Sequence, residues 1–266
     1  RFAFLVGRRC RETTIKEVAE DLFLDWHTVK ELDKQYMREQ LRQAGNPAPR
    51  VIGIDEIAIA KGHRYLTIVM DLESGAVVFV GDGKGAKALK PVWKRLRGGK
   101  AQIEAVAMDM SPAYREAVSA HLPKAKIVFD RFHVMKLFNE KLSDLRRALH
   151  REATDVMRKK VLKGTRWLLL KASENLDEEK DEKGRLNEAL ALNKSLATAY
   201  YLKEDLRQFW EQPGKKFATR FLEGGIKRAE ASGIKMLPQM GKALAAHRSG
   251  LLAYYDVMIT SGPMEG

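Results

Sequence analysis

The decapeptide Val51-Ile-Gly-Ile-Asp-Glu-Ile-Ala-Ile-Ala60 decides how this chain is to be read. Its β-branched, apolar run spells a strand. Side chains alternate along a strand, so Asp55 and Glu56 face opposite ways, and Gly53 leaves room beside the Asp55 carboxylate. A second strand, Ile103–Met108, delivers Asp109 at its end, where Met110-Ser111-Pro112 turns the chain into a helix with proline at a favourable first position. Carboxylates at strand ends suit open α/β sheets, whose sites lie beyond the carboxyl ends of the strands. Two such strands can bring two carboxylates together as oxygen ligands for hard divalent cations. The plainer alternative leaves Asp55 an exposed strand residue and Asp109 a helix cap.

Working outward, Arg64–Leu72 and Ala76–Gly81 are further strands, joined through the turn signals Lys61-Gly-His63 and Glu73-Ser-Gly75. A helix over Lys87–Leu96, a helix opened by Ser111-Pro112 and a final strand Lys126–Phe129 complete a βββαβαβ order. That order predicts an α/β fold with a mixed sheet: a three-strand meander, then parallel strands added through helical crossovers. Asp71 and Asp82 also fall near strand ends, but beside turn glycines, and rank lower as ligands.

From Arg131 to Tyr255 the pattern is helical, with Met135, Phe138, Leu142, Leu145 and Leu149 forming a packing seam. Residues 130 to 171 hold 12 Lys/Arg against 5 Asp/Glu, whereas 174 to 188 hold 7 acidic against 3 basic, a solvated loop or helix tip. Asp130 and His133 form an Asp-x-x-His pair. Asp130 can simply cap the helix that follows it, or the pair can serve a site beside it. Arg146, Arg147, Arg151, Lys159, Lys160 and Arg166 are candidate phosphate contacts. Trp167 is either a core residue or a stacking platform for an unpaired base.

Residues 14 to 42 are helical. Thr14 and Glu17 form a capping box, and Asp25 caps a second helix from Trp26 to about Leu41. Val18, Ala19, Leu22, Leu24, Val29 and Leu32 supply the buried stripe. The spacing fits a helix-turn-helix, with Phe23 standing where a turn glycine is common. In such a unit the early residues of the second helix, here Trp26, His27, Thr28 and Lys30, meet base edges. Two packed helices of an ordinary bundle would show the same stripe. Ala44-Gly-Asn-Pro-Ala-Pro-Arg50 is a linker.

The net charge of +13 over 266 residues favours a polyanionic partner. No apolar run approaches the roughly 20 residues of a membrane span, and a single cysteine, Cys10, excludes an internal disulfide. A reducing compartment is expected. The chain starts without Met and stops just beyond Ser-Gly-Pro, which suggests a part of a longer protein.

Four blocks carry a resemblance: Ile-Gly-Ile-Asp-Glu (52–56), Lys-Gly-His-Arg-Tyr-Leu-Thr (61–67), Ala-Met-Asp-Met-Ser-Pro-Ala-Tyr (107–114) and Phe-Asp-Arg-Phe-His-Val (129–134). Together they resemble DDE transposases of bacterial insertion sequences, the ISL-three group above all, over most of residues 14 to 266. The resemblance implies an RNase H-like catalytic domain with Asp55, Asp109 and Glu265 holding two Mg²⁺ or Mn²⁺ ions, Asp130 and His133 in support, and a helical insertion between Asp109 and Glu265. The domains expected are a helix-turn-helix segment (1–45), the catalytic core (46–130), the insertion (131–258) and the start of the core's return (259–266). The resemblance also implies terminal-repeat and target DNA as partners, a homodimer or larger assembly on DNA, and a cytoplasmic, nucleoid-associated protein. Two alternatives stay open: a degraded transposase acting as a DNA-binding regulator, and a Mg²⁺-dependent nuclease of the same fold. The zinc-binding segment and the extension beyond the glutamate that this family usually carries are not in the sequence, and no metal is assigned to Cys10.

Overall fold

The computed structural model describes residues 1–60, 64–260 and 262. The turn expected over 61–63 and the residue Glu265 lie outside the described residues. The chain divides into two compact units, one built from residues 1–49 with 92–102 and the other from 50–91 with 103–266.

In the first unit three helices share one apolar core: α1 (Phe2–Arg9), α2 (Ile15–Asp21) and α3 (Trp26–Gln43). Val6, Val18, Ala19 and Val29 are buried together, with Cys10, Ile15, Leu22, Leu24 and Leu32 packed around them. Both expected caps are present. Thr14 accepts from the Glu17 amide while the Glu17 side chain accepts from the Thr14 amide, and Asp25 Oδ1 accepts from His27 N at 2.8 Å. Gly7 lets α1 approach α3 closely, since a Cβ there would lie 2.1 Å from the Tyr36 ring. Helix α1 was not anticipated from the sequence. It has no side-chain cap to announce it, and it forms because Val6 has a core to enter.

The second unit is built on a sheet of β1 (Val51–Ala60), β2 (Arg64–Asp71), β3 (Val77–Asp82), β4 (Ala105–Met108) and β5 (Lys126–Phe129). Their order is β3-β2-β1-β4-β5; β1–β2 and β2–β3 pair antiparallel, β1–β4 and β4–β5 parallel. This is the mixed sheet that the βββαβαβ order predicts. The connections carry α4 (Ala86–Gly98), which runs on into the first unit, and α5 (Pro112–His121). Asp71 ends β2 and orders the turn after it, accepting from Glu73 N and Ser74 Oγ.

The helical stretch comprises α6 (Arg131–Glu152), α7 (Val156–Gly164), α8 (Arg166–Leu170), α9 (Glu182–Leu192), α10 (Lys194–Arg207), α11 (Lys215–Ala231), α12 (Leu237–Ala246) and α13 (Arg248–Val257). Helix α13 returns to the sheet, where Gly250 seats against Phe129 of β5; a Cβ at 250 would lie 2.3 Å from that ring. Of the seam on α6, Phe138 and Leu142 are fully buried, joined by Val134. No helix among the described residues is long and apolar enough to cross a membrane.

Phe23, the turn residue between α2 and α3, has φ +52° and is 95% exposed. The left-handed backbone that the glycine position implied is therefore present, with a side chain that buries nothing in return. Phe23→Gly removes a steric cost of about 1–2 kcal/mol, partly offset by the greater freedom of unfolded glycine. Slower hydrogen exchange at α2 and α3 amides, equivalent to about 0.5–1 kcal/mol of added stability, is the expected result; unchanged exchange would show that the turn carries no strain. Lys203 is buried at 1% exposure, and its Nζ donates at 2.8 Å to the carbonyls of both Leu169 and Lys171 beside the end of α8. It also pairs with Glu204 at 2.8 Å. A buried ion pair can often be exchanged for apolar residues without loss, but here the backbone acceptors would remain. Lys203→Met should lower unfolding stability in urea by about 2–4 kcal/mol, since each orphaned buried acceptor costs roughly 1–3 kcal/mol.

Candidate active site

The site follows from strand register. Ile54 pairs with Met108, and Met108 with Phe129. The next position on each strand is Asp55, Asp109 and Asp130, so three aspartates stand in one row across β1, β4 and β5. Neighbouring strands lie roughly 4.8 Å apart, and residues two apart share a face. The row beneath the carboxylates is therefore Gly53, Ala107 and Val128, two of them small.

Each aspartate first satisfies a local amide. Asp55 Oδ1 accepts from Glu56 N at 2.7 Å, Asp109 Oδ1 from Ser111 N at 2.8 Å, and Asp130 Oδ1 from Phe132 N at 2.6 Å. Asp109 thus does part of what the plainer reading assigned it, ordering the turn into α5. Among the described residues, Oδ2 of Asp55 and of Asp109 accepts no hydrogen bond, and both side chains are half-buried. Asp130 is buried, caps α6, and accepts from Thr260 Oγ1 at 3.3 Å through Oδ2. That bond brings the segment after α13 to the end of the row.

His133, in the first turn of α6, reaches over the row. Its Nε2 lies 3.6 Å from Asp55 Oδ1, an ion-pair distance rather than a hydrogen bond. The Asp55 carboxylate is the largest influence on His133 and raises its pKa above the ordinary histidine value; burial opposes this, and the charges of Asp109 and Asp130 add to the rise. The Asp-x-x-His pair is thus both the helix cap and a neighbour of Asp55.

Glu56 turns to the other face, as alternation requires. Tyr114 of α5 donates to Glu56 Oε1 at 2.5 Å, Gly85 N donates to the same oxygen at 3.3 Å, and Thr67 Oγ1 lies 3.0 Å from the Tyr114 hydroxyl. Burial, reinforced by Glu56, keeps the Tyr114 hydroxyl protonated far above its usual range. Sequence reasoning missed this network. The acidic pair Asp55-Glu56 and a buried tyrosine in the block after Asp109 were its only signals.

Two hard oxygen donors with free lone pairs, over small residues, fit a divalent cation of the Mg²⁺ kind. No group of three possible ligands closes around a point among the described residues, so a complete cage needs a donor from elsewhere.

The nucleic-acid candidates are dispersed. Trp26, His27 and Thr28 are exposed at the start of α3, with Lys30 Nζ 5.5 Å from the centroid of the Trp26 ring. Arg151, Lys159, Lys160 and Arg166 are exposed on α6 to α8. Arg147 pairs with Asp144. Arg146 is already engaged in the fold: its guanidinium donates to the Leu162 carbonyl at 2.9 Å, and burial together with Arg166 and Arg147 lowers its pKa. Trp167 is 64% exposed beneath Arg166, which rules out the core alternative.

The raised His133 pKa has a definite sign. Its stabilising share is complete below the unfolded value of about 6.5 and is lost as pH rises through the higher folded value. In metal-free protein, NMR should show His133 titrating above about 6.5, and Asp55→Asn should bring the midpoint down. An unchanged midpoint in that variant would separate His133 from Asp55.

A transposase family model, the ISL-three DDE type, matches residues 52–266. The transposase of insertion sequence element IS1001 from Bordetella parapertussis is 32% identical over 269 residues, covering 100% of this chain and 66% of that protein. The transposase of element IS1557 from Mycobacterium tuberculosis (strain CDC 1551 / Oshkosh) is 27% identical over 280 residues, covering 96% of this chain and 62% of that protein. The chain thus spans less than two thirds of the length of either relative. A family match over residues 52–266, well over half of the chain, means that this chain belongs to the ISL-three family of DDE transposases.

Proposed function

We propose that this chain carries the catalytic part of an insertion-sequence transposase, which cuts phosphodiesters at element ends and joins the freed 3′ hydroxyl to target DNA. The observation that carries this reading is the register that sets Asp55 beside Asp109, each with a carboxylate oxygen that accepts no hydrogen bond among the described residues. On this reading the sheet is RNase H-like and the helices from 131 to 258 are an insertion between Asp109 and Glu265. Asp55, Asp109 and Glu265 would hold two Mg²⁺ or Mn²⁺ ions. Such ions, when bound, activate the attacking oxygen and neutralise charge on the phosphoryl group.

Glu265 enters through chain reach. Thr260, bonded to Asp130 at the end of the row, precedes it by five residues, and five residues span at most about 18 Å. Asp130, held by the α6 amide and Thr260, fixes where His133 projects. His133 in its charged form orients Asp55 and can donate to a phosphate oxygen at the row. Trp26, His27, Thr28 and Lys30, on a helix-turn-helix, would read terminal-repeat DNA, while Arg147, Arg151, Lys159, Lys160 and Arg166 would contact phosphates. Two element ends must be held at once, so a homodimer or larger complex is the working assembly, in the cytoplasm at the nucleoid.

The test uses labelled element ends with Mg²⁺ or Mn²⁺. Wild-type protein should give cut and then joined product. Cut product alone would indicate a nuclease, and binding without product a regulator. Asp55→Ala and Asp109→Ala should each reduce cleavage by about a thousandfold or more while gel retention of the DNA stays nearly unchanged. Cleavage retained in either variant removes that residue from the mechanism.

A further inference from the structure

One face of α6 leads away from the aspartate row as a groove of about 600 Å³, within the roughly 300–1,000 Å³ of ligand sites. Phe132 stands at its near end. It is 48% exposed, and its ring meets that of His133 edge-on at 5.4 Å. The groove passes Lys136 and Asn139 and reaches Arg147 and, from α8, Arg166. From Phe132 to Arg147 the helix advances about 22 Å, far longer than one small ligand. Asn139 Oδ1 is buried and has no hydrogen-bond partner among the described residues. Lys136 is exposed and forms no ion pair among them. The groove's acidic residues are Glu140 and Asp144, and Arg147 neutralises the latter. Beyond its far end Trp167 lies exposed beneath Arg166, with 4.6 Å between guanidinium and ring.

An open aromatic face, an unsatisfied amide and spaced cations along one path match a polyanion that carries flat, hydrogen-bonding rings. In duplex DNA those faces are stacked on one another, so the match is to unpaired nucleotides. We propose that this groove binds the single-stranded DNA adjoining the reacting phosphate, with one base stacked on Phe132 and hydrogen-bonded by Asn139, and following phosphates near Lys136 and Arg166. It deepens the transposase reading, on which it rests, by naming the form of DNA that this side of the site takes. A stacked base on Phe132 would hold the adjoining strand next to His133 and Asp55.

The test needs neither metal nor catalysis. Fluorescence anisotropy of the 266-residue chain compares a labelled 12-nucleotide single strand with the same phosphodeoxyribose strand lacking bases. Wild-type protein should bind the base-bearing strand about tenfold more tightly, as expected for stacking of one base. Phe132→Ala should bind the two strands alike, Phe132→Trp should restore the preference, and Asn139→Ala should weaken it. Phe132 is half exposed, and circular dichroism confirms that each variant is folded. The proposal is overturned if wild-type protein binds both strands alike or binds neither, or if Phe132→Ala keeps the preference. Cleavage of element ends is scored separately. Base preference without cleavage keeps the groove and removes the transposase reading; cleavage without base preference does the reverse.

Discussion

Everything at the candidate site depends on how three parallel strands are aligned. Because side chains alternate with a period of two, a slip of one residue between β1 and β4 would turn Asp55 or Asp109 to the opposite face. What prevents the slip is apolar. Ile52, Ile54, Val106, Met108 and Phe129 are all fully buried on the face away from the aspartates, and burying each large side chain is worth about 1.5–3 kcal/mol. A slipped strand would exchange several of these for polar groups. Buried apolar residues on one face thus set the spacing of the aspartates on the other.

The end of β1 is held a second time by polar contacts. Glu56 offers its amide to Asp55 on one face and its carboxylate to Tyr114 and Gly85 on the other. A partly buried carboxylate is costly unless its oxygens are satisfied, and here two donors meet the same oxygen. The turn after β3, the start of α5 and the Asp55 position are therefore tied through one side chain. The tie explains why two adjacent acids can serve different purposes: the strand separates their faces, and each face supplies its own partners.

Much of this was legible in the sequence, and the reason is local. Strands β1 to β5 announce themselves by β-branched runs between turn residues, and α2, α3 and α6 by Thr14, Asp25 and Asp130 at their caps. The unassigned helix α1 has no such mark. Register between strands distant in sequence is not a local property, so Asp55 and Asp109 could be named as candidates while their alignment with Asp130 could not. Surface roles were legible by residue type only. Arg146 belongs to a basic run, yet its guanidinium is committed to the Leu162 carbonyl. Trp167 could be weighed between core and surface but not decided, because decision requires knowing what α8 packs against.

The charge pattern links the two halves of the reading. Like charges about 5 Å apart repel by roughly 3 kcal/mol at an effective dielectric constant near 20, and a phosphate brought to the aspartate row would be repelled by each carboxylate in turn. Among the described residues, His133 Nε2 lies 3.6 Å from Asp55 in the row. The surplus positive charge lies elsewhere, along residues 130 to 171 and over the chain as a whole at +13. Basic helices can draw a polyanion in by releasing its counterions, but they cannot seat a phosphate on three acids. A phosphate could come close there only with divalent charge between the two sets of anions, a charge that paired aspartates at strand ends are suited to hold. On the proposed function, the same repulsion would keep DNA off the row until that charge is in place, so attraction and reaction would be governed by different residues.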